Sequence, residues 1–152
     1  MNLQEELKAL KERIAELEEQ AKEEREFPQD GDGYWYIDDY GYILNEKWDG
    51  LDFEEFRLEI GNMFKTKEQA EFAVEKLKVE AELRKYSRGF EVNKANYLIV
   101  CDTRIGELDT LFMDRYDVQG AIYFESKEKG QQAIEEVGEE RVKKYIFGVE
   151  DL

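Results

Sequence analysis

Near the N-terminus, apolar residues recur at alternating spacings of four and three, which is the heptad pattern of a coiled coil. The seam consists of Leu3, Leu7, Leu10, Ile14, Leu17 and Ala21. In this register, Glu6 of one copy faces Lys11 of a parallel partner, and Arg13 faces Glu18. Both pairs attract, so the pattern favours a parallel dimer, with higher oligomers left open. The alternative is a helix that packs the same stripe on its own domain.

Phe27 and Pro28 are predicted to end this helix, because proline disfavours a helical residue before it and lacks a backbone donor. The polar, glycine-rich residues 29–33 then predict a joint. The chain therefore divides into a coiled-coil oligomerisation helix, residues 1–27, and a globular domain, residues 28–152. Because isolated helices of this length are marginal in water, we expect the globular domain to contribute to the interface between copies.

The globular domain shows strand patterns and capped helical patterns. Tyr34–Asp38 and Tyr42–Asn45 predict a hairpin, with Gly41 supplying a positive φ. A third strand is predicted near Arg57–Phe64, followed by a long helix that Thr66 caps. The later part of the chain predicts strands at 97–101, 108–113 and 121–124, then a helix that Ser126 caps and Gly138 interrupts before it resumes over 139–147.

Residues 64–77 align with residues 124–137, which indicates a possible internal repeat spanning 34–86 and 97–147. The identities are Phe64 with Phe124, Lys67 with Lys127, Glu68 with Glu128, Ala73 with Ala133, and Glu75 with Glu135. The alternative is that any strand followed by a capped amphipathic helix looks like this. In either case the predicted fold class is α+β: an N-terminal helix and two sheet-plus-helix units, each an antiparallel hairpin followed by an amphipathic helix.

The formal net charge of −16, from 22 basic and 38 acidic residues, changes the expected partners. Such a chain is repelled by duplex nucleic acid and by anionic membranes, so a basic protein surface is the favoured partner. Cys101 is the only cysteine, and the N-terminus lacks the pattern of a signal peptide, so we expect a reducing cytoplasm. No apolar run is long enough to predict a membrane span.

The residue types limit the chemistry that can be expected. The sequence has no histidine, which removes imidazole bases and histidine metal ligands. Cys101 lies in an apolar strand pattern, which is typical of an inert buried thiol. The acidic pairs Asp38 with Asp39 and Glu54 with Glu55 could serve a glycosidase or hold a divalent ion, but solvated carboxylates are the commoner interpretation. We therefore predict no catalytic residues, no metal, no cofactor and no enzymatic activity.

The most distinctive feature is a cluster of aromatic residues mixed with aspartates around the first predicted hairpin. Strand alternation puts Tyr34 and Tyr36 on one face of the sheet and Trp35 on the other, so one aromatic set should be exposed. Exposed tyrosine and tryptophan are frequent in binding hot spots, although cross-strand packing explains the same residues. The candidate partner-binding residues are Tyr34, Tyr36, Asp38, Asp39, Tyr40, Trp48 and Asp49.

Over most of its length after residue 30, the chain resembles small, mostly uncharacterised proteins of tailed phages and prophages of Gram-positive bacteria. The similar positions are Gly31, Asp32, Tyr34, Trp35, Ile37, Asp38, Trp48, Ile60, Gly61, Asn62, Phe64, Lys65, Thr66, Glu68, Glu71, Ala73, Glu75, Lys76, Leu77, Lys143, Lys144, Tyr145, Phe147, Gly148 and Val149. The resemblance implies a phage accessory protein made in the host cytoplasm, with no catalytic residues to carry over. Small acidic phage proteins are often counter-defence factors.

Together, the seam, the acidic hairpin region and the resemblance lead to the hypothesis of a homo-oligomer that binds and inhibits a host protein. An anti-CRISPR or another anti-immune factor fits this description. One rival is a sponge for a nucleotide immune signal, with Arg57, Arg88, Arg104 or Arg115 holding its phosphates. A second rival is a structural or scaffolding part of the virion.

Overall fold

Helix α1 (Leu3–Glu24) opens the chain in the computed structural model, which describes residues 2–150. Its first turn is closed by a capping box. The side chain of Asn2 accepts a hydrogen bond from the Glu5 N–H at 2.9 Å, and the Glu5 carboxylate accepts one from the Asn2 N–H at 3.1 Å. The helix ends before Phe27 and Pro28, as the sequence predicts. Residue 1 and residues 151–152, at the outer ends of the two predicted regions, lie outside the described residues.

Strands β1 (Gly33–Ile37) and β2 (Ile43–Lys47) form the predicted hairpin. Gly41 in its turn has a φ of +83°, a conformation that favours glycine. Trp35 also pairs antiparallel with Phe64, through N–H to carbonyl hydrogen bonds of 2.8 Å in both directions. Phe64 thereby extends the two-stranded sheet by one bridged residue.

The strand predicted near Arg57–Phe64 is wrong: residues 57–59 end helix α2 (Asp52–Glu59), residues 60–61 form a turn, and only Phe64 makes a β-bridge. Acidic side chains occupy the first turn of this helix and Arg57 the last, the arrangement that complements a helix dipole. The buried carboxylate of Glu54 also accepts hydrogen bonds from the N–H groups of Asp49 and Leu51, at 2.9 and 3.3 Å. These bonds fix the chain at the start of α2.

The remaining elements surround a hydrophobic core in the second part of the chain. They are α3 (Lys67–Arg84), β3 (Asn96–Asp102), β4 (Glu107–Met113), β5 (Tyr123–Phe124), α4 (Lys127–Val137) and α5 (Glu139–Phe147). The strands are antiparallel in the order β4–β3–β5. The hydroxyls of Thr66 and Ser126 cap α3 and α4, as predicted, by accepting hydrogen bonds from backbone N–H groups three residues later. The core contains Val79, Leu83, Phe124, Ala133, Val137 and Val142.

The two halves of the chain, which the possible internal repeat aligns, share one strand pairing. In each half, the first strand of a hairpin pairs antiparallel with the segment that carries the aligned phenylalanine. Trp35 pairs with Phe64 in the first half, and Tyr97 pairs with Phe124 in the second. The first half differs because α2 is inserted between its hairpin and that phenylalanine. The fold class is α+β, as predicted.

The chain forms two compact units that do not coincide with the two halves. Unit 1 contains the chain up to Tyr36 and Leu44–Lys65, which includes α1, most of the first hairpin and α2. Unit 2 contains the hairpin tip, Ile37–Ile43, and the chain from Thr66 onward. The predicted aromatic cluster is therefore divided between two units.

Candidate functional site

The heptad seam of α1 is exposed along its whole length in the single chain. Leu10, at the centre of the seam, is 61% exposed. An amphipathic helix packed on its own domain would bury this stripe. The exposed seam therefore does not fit a helix that packs on its own domain. It leaves an apolar face of the length expected for one helix of a coiled coil.

The base of the first hairpin does not present the aromatic surface that the sequence suggested. Tyr34 and Tyr36 are both buried, so the expectation that they contact a partner at the surface has to be corrected. The physical reason is a polar network beneath them. The Tyr34 hydroxyl donates a hydrogen bond of 2.6 Å to the Glu54 carboxylate, and the Tyr36 hydroxyl donates one of 3.1 Å to Glu46.

Arg57 of α2 joins this network to the hairpin. Its guanidinium donates hydrogen bonds to the Tyr34 hydroxyl at 2.8 Å and to the Glu46 carboxylate at 3.0 Å. The same group lies over the Tyr36 ring, 3.6 Å from its centroid. A planar guanidinium can combine these contacts, since it stacks on rings and donates in its own plane. Arg57 thereby satisfies the tyrosine hydroxyl that the hairpin buries.

The electrostatics of the network follow from burial and hydrogen bonding. Burial alone would raise the pKa of Glu54, but hydrogen bonds from the Tyr34 hydroxyl and from two backbone N–H groups hold that pKa below its ordinary value. Burial and the bond to Glu54 raise the pKa of the Tyr34 hydroxyl, against the opposite influence of Arg57. At neutral pH Glu54 is therefore a carboxylate, Tyr34 a neutral phenol and Arg57 a guanidinium.

This arrangement stabilises the fold and is closed to a reactant. Glu54 and Tyr34 have almost no solvent-accessible surface, whereas Glu55 is exposed. The two carboxylates of the Glu54–Glu55 pair therefore do not face one reaction site. Within residues 2–150, no three carboxylate or cysteine side chains form a group that could hold a metal ion.

The tip of the hairpin has the opposite character. Asp38 accepts hydrogen bonds from the N–H groups of Tyr40 and Tyr42, at 2.9 and 2.8 Å, so its carboxylate shapes the turn. Tyr40, Tyr42 and Asp39 are exposed. The rings of Tyr40 and Tyr42 lie 6.2 Å apart. Of the predicted binding residues, Asp39 and Tyr40 thus remain available at this end.

The tip borders a cavity of about 720 Å³ in unit 2, which we call the aromatic–acidic groove. Phe72 of α3 and Tyr145 of α5 form one wall, with ring centroids 5.1 Å apart, and Tyr42 lies at the edge. The charged residues in its lining are Glu68, Glu71, Glu75, Lys78, Lys144 and Glu150. Lys78 is paired with Glu75 at 3.2 Å and Lys144 with Glu150 at 3.5 Å. With four carboxylates against two lysines, the groove is acidic.

The groove contains residues that the sequence analysis did not assign to a site. Neither Phe72 nor Tyr145 is among the predicted partner-binding residues. A spacing of three and four residues places Glu68, Glu71 and Glu75 on one face of α3. The sequence therefore predicts an acidic face on α3, but that this face lines a groove depends on α5 lying beside α3.

Trp48 and Asp49 belong to unit 1, whereas the hairpin tip belongs to unit 2. The Trp48 ring meets the Tyr34 ring edge-on, with centroids 6.5 Å apart, and is half-buried. The Asp49 side chain is exposed while its N–H donates to Glu54. Trp48 therefore supports the hairpin, and Asp49 contributes negative charge near α2.

The four arginines considered for a nucleotide ligand all have partners in the chain. Arg57 is held by Glu46, Arg88 by Glu91 at 2.6 Å, and Arg104 by Asp102 at 3.2 Å. The guanidinium of Arg115 lies 5.7 Å from the centre of the Tyr116 ring. No observation in the described residues brings these arginines together around one phosphate site.

Comparisons with protein-family models, with curated proteins and with solved structures gave no match to this chain. Among the helices of residues 2–150, none combines the length and the apolar character that crossing a membrane requires.

Proposed function

We propose that this chain is a non-enzymatic binding protein that self-associates in parallel through α1 and holds a basic segment of a partner protein in the aromatic–acidic groove. The observation that carries the proposal is the composition of that groove. Aromatic faces beside carboxylates suit lysine and arginine side chains, whose cationic heads are attracted by both. The net charge of −16 also favours the approach of a basic partner.

Self-association is supported by the exposed seam and by its flanking charges. In a parallel pair, Glu6 meets Lys11 and Arg13 meets Glu18 of the other copy. Each dimer would carry two grooves, so a partner with two basic segments would gain avidity.

The resemblance to small phage proteins supports a partner in the host cytoplasm. We propose a component of an antiviral system, which the chain would inhibit by occupying its basic surface. In a functional assay, phage plating on hosts that carry such systems should rise when the chain is expressed.

Self-association is tested by the substitution Leu10→Glu, which puts charge into the seam. We expect the mass measured by light scattering at micromolar concentration to fall from a multiple of 18.1 kDa to 18.1 kDa. Ala15→Glu adds the same charge to α1 outside the seam and should leave the mass unchanged. A wild-type mass of 18.1 kDa would contradict the proposal.

Groove binding is tested with a fluorescein-labelled oligo-arginine peptide, by fluorescence anisotropy at about 0.15 M salt, where long-range attraction is screened. Tyr42→Ser should weaken binding by about fivefold, the loss of roughly 1 kcal/mol expected for one cation–π contact. Tyr116→Ser is the matched control, because Tyr116 is 67% exposed and Tyr42 is 66% exposed. Equal effects of the two substitutions would show that the peptide binds by net charge alone.

A further inference from the structure

Helix α2 carries an apolar stripe that unit 1 leaves open. Phe53 and Phe56 are three residues apart on one face of the helix, and Ile60 follows four residues later as the C-cap residue, whose N–H still bonds to the Phe56 carbonyl. Phe56 is 63% exposed and Ile60 is 79% exposed. Single exposed apolar residues are ordinary on a protein surface, but a contiguous stripe is typical of an interaction site.

The buried face of α2 explains why this stripe stays outside. Glu54 points into the unit, where it binds the Tyr34 hydroxyl at 2.6 Å and two backbone N–H groups. Rotation of the helix to bury Phe56 would pull this carboxylate out of its hydrogen bonds and leave Tyr34 unsatisfied. Because unsatisfied buried polar groups are costly, the network fixes the stripe in its exposed position.

The exposed charged side chains beside the stripe are all acidic. Asp52 and Glu59 are seven residues apart, so they lie along one side of it, and Glu55 is close to both on the helix. All three are exposed. The one basic residue of α2, Arg57, is already held by Glu46 and by the Tyr36 ring. The rim of the stripe is therefore acidic.

An acidic rim selects among possible occupants. In a symmetric contact between two copies the same patch meets itself, which would bring these carboxylates together. An anionic membrane would be repelled in the same way. A helix with apolar residues on one face and lysine or arginine beside them complements both the stripe and its rim.

We propose that the α2 stripe docks a basic amphipathic helix of a partner protein. Apolar side chains of that helix pack on Phe56 and Ile60, and its basic side chains face Asp52 and Glu59. The contact spans about two helical turns, roughly 10 Å. This surface shares no residue with the aromatic–acidic groove, and the proposal rests on the proposed function only in taking a basic protein as the partner.

The test uses a labelled peptide of leucine and lysine whose leucines form one helical face, with an analogue that has glutamate at every lysine. Fluorescence anisotropy should show binding of the lysine peptide and none of the analogue. Phe56→Ser and Glu59→Lys should each weaken binding by about tenfold, while Val92→Ser, which changes an exposed apolar residue of unit 2, should have no effect.

The outcomes separate this proposal from the preceding one. If Tyr42→Ser weakens binding and Phe56→Ser does not, the peptide occupies the groove and the α2 proposal is overturned while the proposed function stands. If Phe56→Ser lowers the mass by light scattering, the stripe is a contact between copies, which also overturns the α2 proposal. Binding of the glutamate analogue would overturn the role of the acidic rim. Ile60→Ser should repeat the result of Phe56→Ser, and unchanged circular dichroism excludes unfolding as its cause.

Discussion

The base and the tip of the first hairpin carry the same kind of side chain in opposite environments. Tyr34 at the base is fully buried, whereas Tyr40 at the tip is 86% exposed. The residue type is the same, so the difference must come from the surroundings. Beneath the base lie Glu54 and Arg57 of α2, which satisfy the buried hydroxyl. At the tip, Asp38 satisfies the backbone of the turn and leaves the tyrosines open.

The comparison shows how aromatic residues become either structural or available for binding. A tyrosine can be buried without a large cost when its hydroxyl finds a partner. α2 supplies that partner for the base, and in doing so presents its own apolar stripe to solvent. In unit 1, one face of α2 thus covers the tyrosines of the hairpin base, and the opposite face exposes the apolar stripe.

The difference between base and tip is tested most strongly by removing one tyrosine from each. Tyr34→Ala leaves a cavity and removes one hydrogen-bond partner each from Glu54 and Arg57, so we expect the free energy of unfolding to fall by about 4 kcal/mol. Tyr40→Ala should change it by less than about 0.5 kcal/mol, because its ring is already in water. Urea denaturation followed by tryptophan fluorescence measures both, since Trp35 and Trp48 lie in or beside this hairpin. Equal losses would show that the base and the tip do not differ as described.

Local signals predicted much of the fold. The heptads and Pro28 define α1, strand alternation and Gly41 define the first hairpin, and two hydroxyl caps start α3 and α4. Each of these signals spans a few residues. For that reason they can be interpreted without knowledge of the tertiary structure.

The error at α2 arose from a sequence that fits two periods. Phe56, Leu58 and Ile60 alternate with polar residues, which is typical of a strand. Phe53, Phe56 and Ile60 also fit the period of a helix. Acidic residues in the first turn and the buried Glu54 favour the helix, and the second of these depends on tertiary contacts.

The exposure of the aromatic residues could not be predicted for a similar reason. Tyr34 and Glu54 are 20 residues apart in sequence, and nothing local links them. In the groove, Phe72 of α3 contacts Tyr145 of α5, which follows much later in the chain. Residues 34–49 are visibly aromatic and acidic in the sequence, but their division into a buried base and an exposed tip depends on contacts with α2.

A smaller effect is expected from a substitution at the base that removes the charge of Glu54 and keeps its shape. Glu54→Gln should lower the free energy of unfolding by about 2 kcal/mol at neutral pH, since an amide cannot accept as many hydrogen bonds from Tyr34 and the two N–H groups. Because the pKa of Glu54 is lowered in the folded state, the contribution of this carboxylate is present above its unfolded pKa of about 4.3 and is lost as pH falls through the folded pKa. The wild type should therefore lose stability more steeply than the variant as pH falls below the unfolded pKa of about 4.3. Urea titrations across this range measure the difference, with the exposed Glu55→Gln as the control that keeps the wild-type slope. If Glu54→Gln keeps that slope as well, the network beneath the hairpin base does not depend on an ionised carboxylate.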